Sequence, residues 1–305
     1  MKIAVDLNGG DNAPGEILAG CLNFSQLHLE HRLILCAVKG TALPILPDNV
    51  TAEFYTYSIG MKETPTQSLK DKPDNTIAGA LKLVLTDKAA CAFSCGNSGA
   101  VILNAIDVFG IKNPKINPYL VSFIPLYNRE PLALFDVGAL GNFHFNAELY
   151  LEILHDVLVL YKAVYDVENP SVGMLNIGSE GWKGTSEHRK MYQLLSEGNF
   201  NFKGNIEGDE LLKTECSIII TDGFTGNIVL KLLESFGDIM TEFNKIKYCN
   251  SDDKYINFLL ENFNYETIGG APLLGVNGKV VVGHGKSTAK AVVSALDLCV
   301  KYAVL

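Results

Sequence analysis

Residues 1–14 read MKIAVDLNGGDNAP, and they set a pattern that recurs along the chain. The apolar segment Ile3–Asp6 is typical of a buried strand and leads directly into a turn at Gly9 and Gly10. Two adjacent glycines let the backbone adopt positive φ angles or approach a ligand closely. Ligands bind at such strand ends in open α/β sheets, so the segment predicts an α/β fold with a binding loop. A tight turn with a helix cap is the alternative.

Similar short apolar segments alternate with helical patterns through the rest of the sequence. Strands are predicted at Leu33–Val38, Ala90–Ser94, Ala133–Val137, Val172–Ile177, Ser217–Thr221 and Lys279–Val282. Helices are predicted at Thr76–Thr86, Ala100–Phe109, Glu148–Tyr161, Glu187–Leu195, Asn227–Glu234 and Ser287–Tyr302. This alternation predicts a three-layer α/β/α sandwich with a largely parallel sheet. A boundary between two lobes is expected between about residues 110 and 135, where prolines cluster.

The composition limits the class of protein. The chain has 305 residues, of which 48% are hydrophobic and 19% charged, which is enough to bury a large core. A formal net charge of −9 disfavours nucleic acid as a partner. Seven scattered cysteines without a CxxC pair predict buried, reduced thiols. Without signal-peptide features or a membrane-length apolar run, we expect a cytoplasmic protein.

A second glycine-rich loop, SCGNSGA at residues 94–100, lies between a predicted strand and a predicted helix. Backbone N–H groups at a helix start point toward anions, and Ser98 adds a hydroxyl donor. The loop therefore predicts a phosphate or carbonyl site, with a merely capped helix start as the alternative. Cys95 is a poor candidate for an acyl-accepting nucleophile, because no histidine is near it in sequence.

Two further loops combine glycines with charged residues. In NIGSEGWKGT, residues 176–185, Lys183 is the best candidate for a positive charge facing phosphate, and a solvated loop lysine is the alternative. In TDGFTGN, residues 221–227, Asp222 stands at a strand end, a usual place for functional side chains. A helix cap is the competing explanation for Asp222 and Thr225.

The last glycine loop is VGHGKS at residues 282–287. His284 lies between two glycines, which favours exposure and predicts a donor to an oxyanion or a phosphate, with a structural turn as the alternative. The segment ends like a nucleotide-binding P-loop, but Val280 occupies the place of the required first glycine. A dinucleotide fingerprint is absent, and no two histidines have zinc-ligand spacing on a helix.

Taken together, these segments resemble the PlsX family of phosphate acyltransferases over nearly the whole chain. The motifs that carry the resemblance are MKIAVD with GGDNAP at the start, GNSGA at 96–100, DVGA at 136–139, TDGFTGN at 221–227, GGAPLLG at 269–275, and His284-Gly285. One position departs from the family pattern, since Leu140 follows DVGA where the family usually has asparagine.

The resemblance implies that an acyl group passes from acyl carrier protein to inorganic phosphate, and that a membrane glycerol-3-phosphate acyltransferase uses the product. It also implies one homodimeric domain over residues 1–305, with the fold of phosphotransacetylases and isocitrate or isopropylmalate dehydrogenases, and contact with the membrane surface. Phe236, Ile239 and a second apolar set predict a helical hairpin at about 236–265, where such contact would occur. Core packing or a dimer surface is the alternative.

Lys183, His284 and Asp222 are the predicted catalytic residues. Phosphate and substrate binding is predicted for Gly9, Gly10, Asp11, Gly96, Asn97, Ser98, Gly99, Asp136, Gly178, Glu180, Gly223, Thr225, Gly226, Asn227 and Gly285. We expect no metal or cofactor, because phosphate attacks an already activated thioester. Docking of an acidic carrier protein needs a basic patch, for which the candidates are Lys183, Lys231, Lys286 and Lys290. The alternatives are a phosphotransacetylase-like enzyme that uses acyl-coenzyme A and a non-catalytic scaffold for the membrane enzyme.

Overall fold

The computed structural model describes residues 1–127, 129–138, 145–245 and 269–305. The chain divides into two compact units, one formed by Met1–Pro118 with Tyr265–Leu305 and the other by Tyr119–Asn264. The first boundary follows Pro118, inside the proline-rich range named above.

The strands are β1 (Lys2–Asp6), β2 (Arg32–Val38), β3 (Val50–Tyr55), β4 (Cys91–Ser94), β5 (Tyr119–Leu120), β6 (Ser122–Leu126), β7 (Arg129–Phe135), β8 (Val172–Leu175), β9 (Phe202–Ile206), β10 (Ile218–Ile220), β11 (Gly270–Leu274) and β12 (Val280–Gly283). The helices are α1 (Gly15–Leu27), α2 (Pro65–Asp71), α3 (Thr76–Leu85), α4 (Ser98–Phe109), α5 (Ala147–Tyr165), α6 (Ser186–Glu197), α7 (Gly223–Lys245) and α8 (Ala289–Ala303).

The first unit is built on a sheet in which its strands have the order β3-β2-β1-β4-β12-β11. The neighbouring strands β3, β2, β1, β4 and β12 run parallel, and β11 pairs antiparallel with β12. Ile3, Ala4 and Val5 of β1 are fully buried, as expected for a central strand covered by helices on both faces. Helices α1 and α8 pack together, and so do α3 and α4.

The second unit has its own sheet, of order β6-β7-β10-β8-β9. All its neighbouring strands are parallel except β6, which pairs antiparallel with β7. The central strand, Ile218–Ile220, is fully buried. Asn146 caps α5 by accepting from the Leu149 N–H, and Thr185 caps α6 by accepting from the His188 N–H.

The structure confirms the α/β class and each of the strands and helices predicted above, within a few residues at their ends. Two points differ from the prediction. The strands form two sheets rather than one, and the helix predicted at Asn227–Glu234 runs from Gly223 to Lys245. It continues because Phe236 and Ile239 extend the helical spacing of earlier apolar residues. The predicted hairpin therefore begins inside α7, and its remainder, 246–265, lies outside the described residues.

Six cysteines are buried and form no disulfide, as predicted: Cys21, Cys36, Cys91, Cys95, Cys216 and Cys299. Cys249 lies outside the described residues. Among the helices in the described part of the chain, none combines the length and the apolar character needed to cross a bilayer.

The contact between α1 and α8 depends on a glycine. A Cβ atom on Gly20 would lie 2.5 Å from Val292 Cβ and 2.7 Å from the Ala289 carbonyl oxygen. We predict that Gly20→Ala lowers the free energy of unfolding by about 1–3 kcal/mol, because the added methyl group forces the helices apart. Gly15→Ala on the same helix meets open space, so it should be neutral or stabilising by up to about 1 kcal/mol. Urea unfolding tests both variants, and equal stability of the two would contradict this account.

Candidate active site

In the first unit, three loops that are far apart in sequence meet at one edge of the sheet. Strands β1, β4 and β12 are neighbours and parallel, so their carboxyl ends coincide. The Asp11 N–H donates to the Gly285 carbonyl oxygen at 2.7 Å, and Asn12 Nδ2 donates to that of Lys286 at 3.0 Å. Residues 6–12, 94–99 and 283–287 therefore form one structure, which we call the first loop cluster.

A buried carboxylate joins two of these loops. Ser94 Oγ donates to Asp6 Oδ2 at 2.7 Å and accepts from the Gly96 N–H at 3.0 Å. The Asn8 N–H donates to Asp6 Oδ1 at 3.3 Å. Burial raises the pKa of Asp6 above its ordinary value, opposed by the bond from Ser94. Asp6 is fully buried, so it holds the loops in place rather than facing a ligand.

Gly9 and Gly10 are required by the closeness of these loops. A Cβ atom on Gly9 would lie 2.2 Å from Asp6 Oδ2 and 2.8 Å from the Gly96 nitrogen. Gly10 has a φ of +110°, a conformation that other residues rarely adopt. The backbone conformation and the close contacts therefore explain why these two predicted binding positions are glycine. The side chain of the neighbouring Asp11 is exposed.

The start of α4 offers donors to an anion. Asn97 Oδ1 accepts from the Ala100 N–H at 3.2 Å, while its Nδ2 donates to the Met61 carbonyl oxygen at 3.0 Å. The Asn97 side chain is thus committed to capping and to an adjacent loop. The groups left for a ligand are the Ser98 hydroxyl, which is exposed, and the first-turn N–H groups of residues 98 and 99, which a helix does not satisfy itself.

His284 is half-buried in the same cluster. Its Nδ1 accepts from the Lys286 N–H at 3.2 Å, which places the proton of a neutral ring on Nε2. Cys95 is fully buried beside this loop, and burial raises the pKa of its thiol to about 12. A thiol in this state is not a nucleophile near neutral pH, which agrees with the prediction that Cys95 is a poor candidate for an acyl-accepting nucleophile.

The second unit repeats the arrangement. Strands β7, β10 and β8 are neighbours and parallel, so residues 136–138, 176–185 and 221–227 lie at one edge, which we call the second loop cluster. The Asp136 side chain is buried, and its Oδ1 accepts from the Gly138 N–H at 2.9 Å. A Cβ on Gly223 would lie 2.5 Å from Asp136 Oδ2, and one on Gly226 only 1.9 Å from the Asp136 carbonyl oxygen.

Asn227 and Thr225 complete this contact between segments. Asn227 Nδ2 donates to the Val137 carbonyl oxygen at 3.0 Å. The Thr225 N–H donates to Asp222 Oδ1 at 2.9 Å, and Thr225 Oγ1 donates to Asp222 Oδ2 at 2.6 Å. Asp222 thus makes the helix cap that the sequence left open as an alternative to catalysis.

Lys183 remains accessible on a loop that the backbone holds firmly. Its Nζ lies 3.9 Å from Glu180 Oε2, with 40% of the Lys183 side chain and 43% of the Glu180 side chain exposed. Its stem crosses Gly178, where an added Cβ would lie 2.9 Å from Lys183 Cγ. Asn176 Nδ2 donates to the Lys183 carbonyl oxygen at 3.2 Å. These contacts fix the backbone of the loop, whereas the Lys183 ammonium group makes only a weak ion pair with Glu180.

Two residues that contact the second loop cluster were not found from the sequence. His188 stacks on Phe145 with ring centres 4.6 Å apart, and its Nδ1 lies 2.7 Å from Thr185 Oγ1. Burial lowers the pKa of His188, opposed by the charge of Asp222. Tyr150 donates to Asp136 Oδ2 at 3.4 Å, and burial raises its pKa, aided by Asp136 and Asp222. Both residues lie on amphipathic helices, where no sequence signal distinguishes them from packing residues.

The candidate residues thus divide between the units. The first loop cluster holds His284 and Gly285 with the predicted binding residues from 9 to 11 and from 96 to 99. The second holds Lys183 and Asp222 with the binding residues near 136, 178–180 and 223–227. Leu140, the departure from the family pattern, lies outside the described residues.

A protein-family model described as "Fatty acid synthesis protein" matches residues 1–304. The chain belongs to this family. Among the curated relatives, the phosphate acyltransferase of Dehalococcoides mccartyi is 34% identical over 315 residues, covering 98% of this chain and 90% of the relative. The phosphate acyltransferase of Lactobacillus delbrueckii subsp. bulgaricus is 33% identical over 309 residues, covering 97% and 93%. This family is the PlsX family of phosphate acyltransferases, and the chain is an acyltransferase.

Solved structures agree with the fold expected for this family. A branched-chain phosphotransacylase from Enterococcus faecalis superposes with a TM-score of 0.63 at 12% identity, covering 99% of both chains. A phosphotransacetylase from Streptococcus pyogenes gives 0.61 at 14% identity, covering 100% of this chain and 94% of the other. At such low identity the likeness shows the fold alone.

The buried Asp6 predicts a pH dependence of stability. Its pKa is raised in the folded state, so folding favours the protonated carboxyl group. Its contribution is therefore full below the ordinary value of 3.8 and declines as the pH rises through the folded pKa. We predict that Asp6→Asn removes this decline, so that the stability of the variant relative to wild type increases as the pH rises. Thermal unfolding across this range measures the difference. Asp48→Asn, at an exposed position, is the charge-matched control, and an identical profile for both variants would refute the assignment.

Proposed function

We propose that this acyltransferase moves a fatty acyl group from acyl carrier protein to inorganic phosphate, giving an acyl phosphate for phospholipid synthesis. The observation that carries the proposal is the first loop cluster, which combines a helix start suited to an anion with a histidine whose neutral ring has its proton on Nε2. Support also comes from the curated relatives, which are named phosphate acyltransferase.

Each unit offers a helix start that follows a glycine loop and suits phosphate binding. At α4 the donors are the first-turn N–H groups and the Ser98 hydroxyl. At α7 the glycines 223 and 226 bring the backbone close to Asp136, and the capping bonds of Asp222 fix the first turn. Asp222 is thus a positioning residue in this proposal, because both its oxygens are bonded to Thr225.

Within the second loop cluster, Lys183 is the counter-charge proposed for phosphate. Its ammonium group lies 3.9 Å from Glu180 Oε2, at the outer limit of an ion pair, and both side chains are partly exposed. Exposed pairs of this kind contribute little, so exchanging the carboxylate for a phosphate oxygen costs little. Ile177 and Trp182 expose 81% and 69% of their surface beside Lys183, which suits a donor with an apolar acyl chain.

The reaction needs positioning and one proton donor. A phosphate oxygen attacks the thioester carbon, the new C–O bond forms, and the C–S bond breaks to release the carrier thiolate. The His284 Nε2–H donates to the developing oxyanion or gives its proton to the leaving thiolate. A single oxyanion donor is worth about 3–4 kcal/mol of transition-state stabilisation.

The remaining expectations stay predictions. Homodimer formation, contact with the membrane surface and supply of a membrane glycerol-3-phosphate acyltransferase follow from the family resemblance. The hairpin that would contact the membrane lies mostly outside the described residues. Of the lysines suggested for carrier docking, Lys231 is paired with Glu234 at 2.7 Å.

The assignments of Lys183 and His284 predict large losses of activity. We expect His284→Ala to lower kcat about 100- to 1000-fold, the cost of one oxyanion donor. Lys183→Ala should chiefly raise the KM for phosphate, because it removes a binding charge present in both ground and transition states. Mass detection of acyl phosphate, with long-chain acyl carrier protein as donor, measures both. Lys213→Ala and His155→Ala, at exposed positions, are matched controls. A near-normal kcat of His284→Ala would refute the role of His284, and an unchanged KM for phosphate in Lys183→Ala would refute that of Lys183.

The identity of the acyl donor has its own test. We expect faster phosphate-dependent thiol release from acyl carrier protein than from acyl-coenzyme A, and we expect rising salt to raise the KM for the carrier because docking is electrostatic. A preference for acyl-coenzyme A would favour the phosphotransacetylase-like alternative. Absence of phosphate-dependent thiol release from either donor would leave the scaffold alternative and overturn the proposal as a whole.

A further inference from the structure

A cluster of metal-ligating side chains lies at the edge of the first sheet opposite the loop cluster. Residues 28–31 connect the end of α1 to the start of β2. Strands β1 and β2 are parallel and pair Lys2 with Arg32 and Asp6 with Cys36. The segment 28–31 is thus at the amino edge, whereas Asp6 opens the loop cluster at the carboxyl edge. A strand of this length separates the edges by on the order of 15 Å, so the two sites are independent.

Three ligand groups are already close together in this segment. Glu30 Oε1 lies 3.7 Å from His28 Nδ1 and 3.5 Å from His31 Nε2. One ligand atom from each of the three residues lies within 4.8 Å of the other two. In a tetrahedral site with bonds of about 2.0–2.1 Å, neighbouring ligand atoms are roughly 3.3–3.4 Å apart. The cluster therefore needs only small side-chain shifts to surround an ion.

A fourth residue orients one of the histidines. His28 Nε2 lies 3.2 Å from Asp297 Oδ1 on α8. When His28 donates its Nε2–H to this carboxylate, the lone pair of the neutral ring is on Nδ1, which is the nitrogen nearer to Glu30. Metal-ligating histidines almost always make such a bond through their other nitrogen. Asp297 thus supplies the outer partner that a metal site requires.

The two imidazole rings are also fixed in orientation. Phe24 stacks on His28 with centroids 4.5 Å apart, and the planes of His28 and His31 differ by only 13°. Only 15% of the His31 side chain is exposed. Its Nδ1 is buried with no hydrogen-bond partner in the described part of the chain, so the polar contact of this ring is made through Nε2, toward Glu30.

We propose that His28, Glu30 and His31 bind one divalent transition-metal ion of the zinc class, with Asp297 as the residue that orients His28. Imidazole and carboxylate ligands together suit this class, and three protein ligands leave one position for water. The ion has a structural role, because it joins the end of α1 to the start of β2 and, through Asp297, to α8. The expectation of no metal from the sequence concerned the acyl transfer, which needs none because the thioester is already activated. The proposal is independent of the proposed function.

Metal titration of the full-length protein tests the site. After treatment with EDTA and removal of the chelator, Zn²⁺ should bind saturably at one ion per chain in calorimetry. Co²⁺ should give the absorption of a nitrogen- and oxygen-ligated ion without thiolate charge-transfer bands, which separates this site from the cysteines. His28→Gln and His31→Gln should each abolish this binding, whereas His155→Gln, at an exposed histidine outside the cluster, should retain it.

Two further measurements separate a metal site from an ordinary hydrogen-bonded cluster. Asp297→Asn should retain the stoichiometry but weaken affinity roughly 10- to 100-fold, as loss of an outer partner does. Zn²⁺ should raise the Tm of the wild type but not of His28→Gln, with circular dichroism showing that the variant is folded. If His31→Gln fails to fold, the partly exposed His28 decides the outcome. Absence of saturable binding, or binding unchanged in His28→Gln, overturns the proposal.

Discussion

The buried carboxylate of Asp6 is the point on which the first loop cluster depends. It ends one central strand, accepts a hydrogen bond from Ser94 at the end of the next, and lies against the space that Gly9 leaves free. A carboxylate removed from water is costly unless its oxygens are satisfied, and here the neighbouring loops supply those bonds. The loops supply hydrogen bonds to the Asp6 oxygens only when they close over it, so the burial of Asp6 and the anchoring of the loops depend on each other. This closure sets the positions of the helix start and of His284.

The second unit also contains a buried aspartate whose oxygens accept hydrogen bonds, but different residues provide them. Asp136 is also buried at a strand end, with Gly138 and Tyr150 as donors and Gly223 and Gly226 packed against it. In both units, parallel neighbouring strands bring their carboxyl ends together, and a buried aspartate ties the loops that follow. The aspartates act through the backbone they hold, so the proposed binding falls to N–H groups, hydroxyls and the accessible Lys183.

Sequence patterns predicted the alternating elements and most of the residues of both loop clusters, because glycine-rich loops after apolar strands are a local signal. They could not reveal contacts between distant segments. Asp222 is an example, because an aspartate that caps a helix and a catalytic aspartate at a strand end have the same sequence pattern. Only the two hydrogen bonds from Thr225 distinguish the capping role. His188 is a second example, because its environment comes from Phe145 and Asp222, which other segments contribute. The edge strand Val50–Tyr55 was missed because its residues are mostly only partly buried and lack a long apolar run.

The two edges of the first sheet differ in electrostatic character, which explains why they suit opposite ligands. At the carboxyl edge, α4 begins, and the N–H groups of its first turn favour an anion. At the amino edge, α1 ends with His28 as its C-cap, so the negative end of the helix dipole favours a cation there. The proposed phosphate site at one edge and the proposed metal site at the other are both consistent with one feature of parallel α/β units, in which a helix that follows a strand points its positive end toward the carboxyl edge of the sheet.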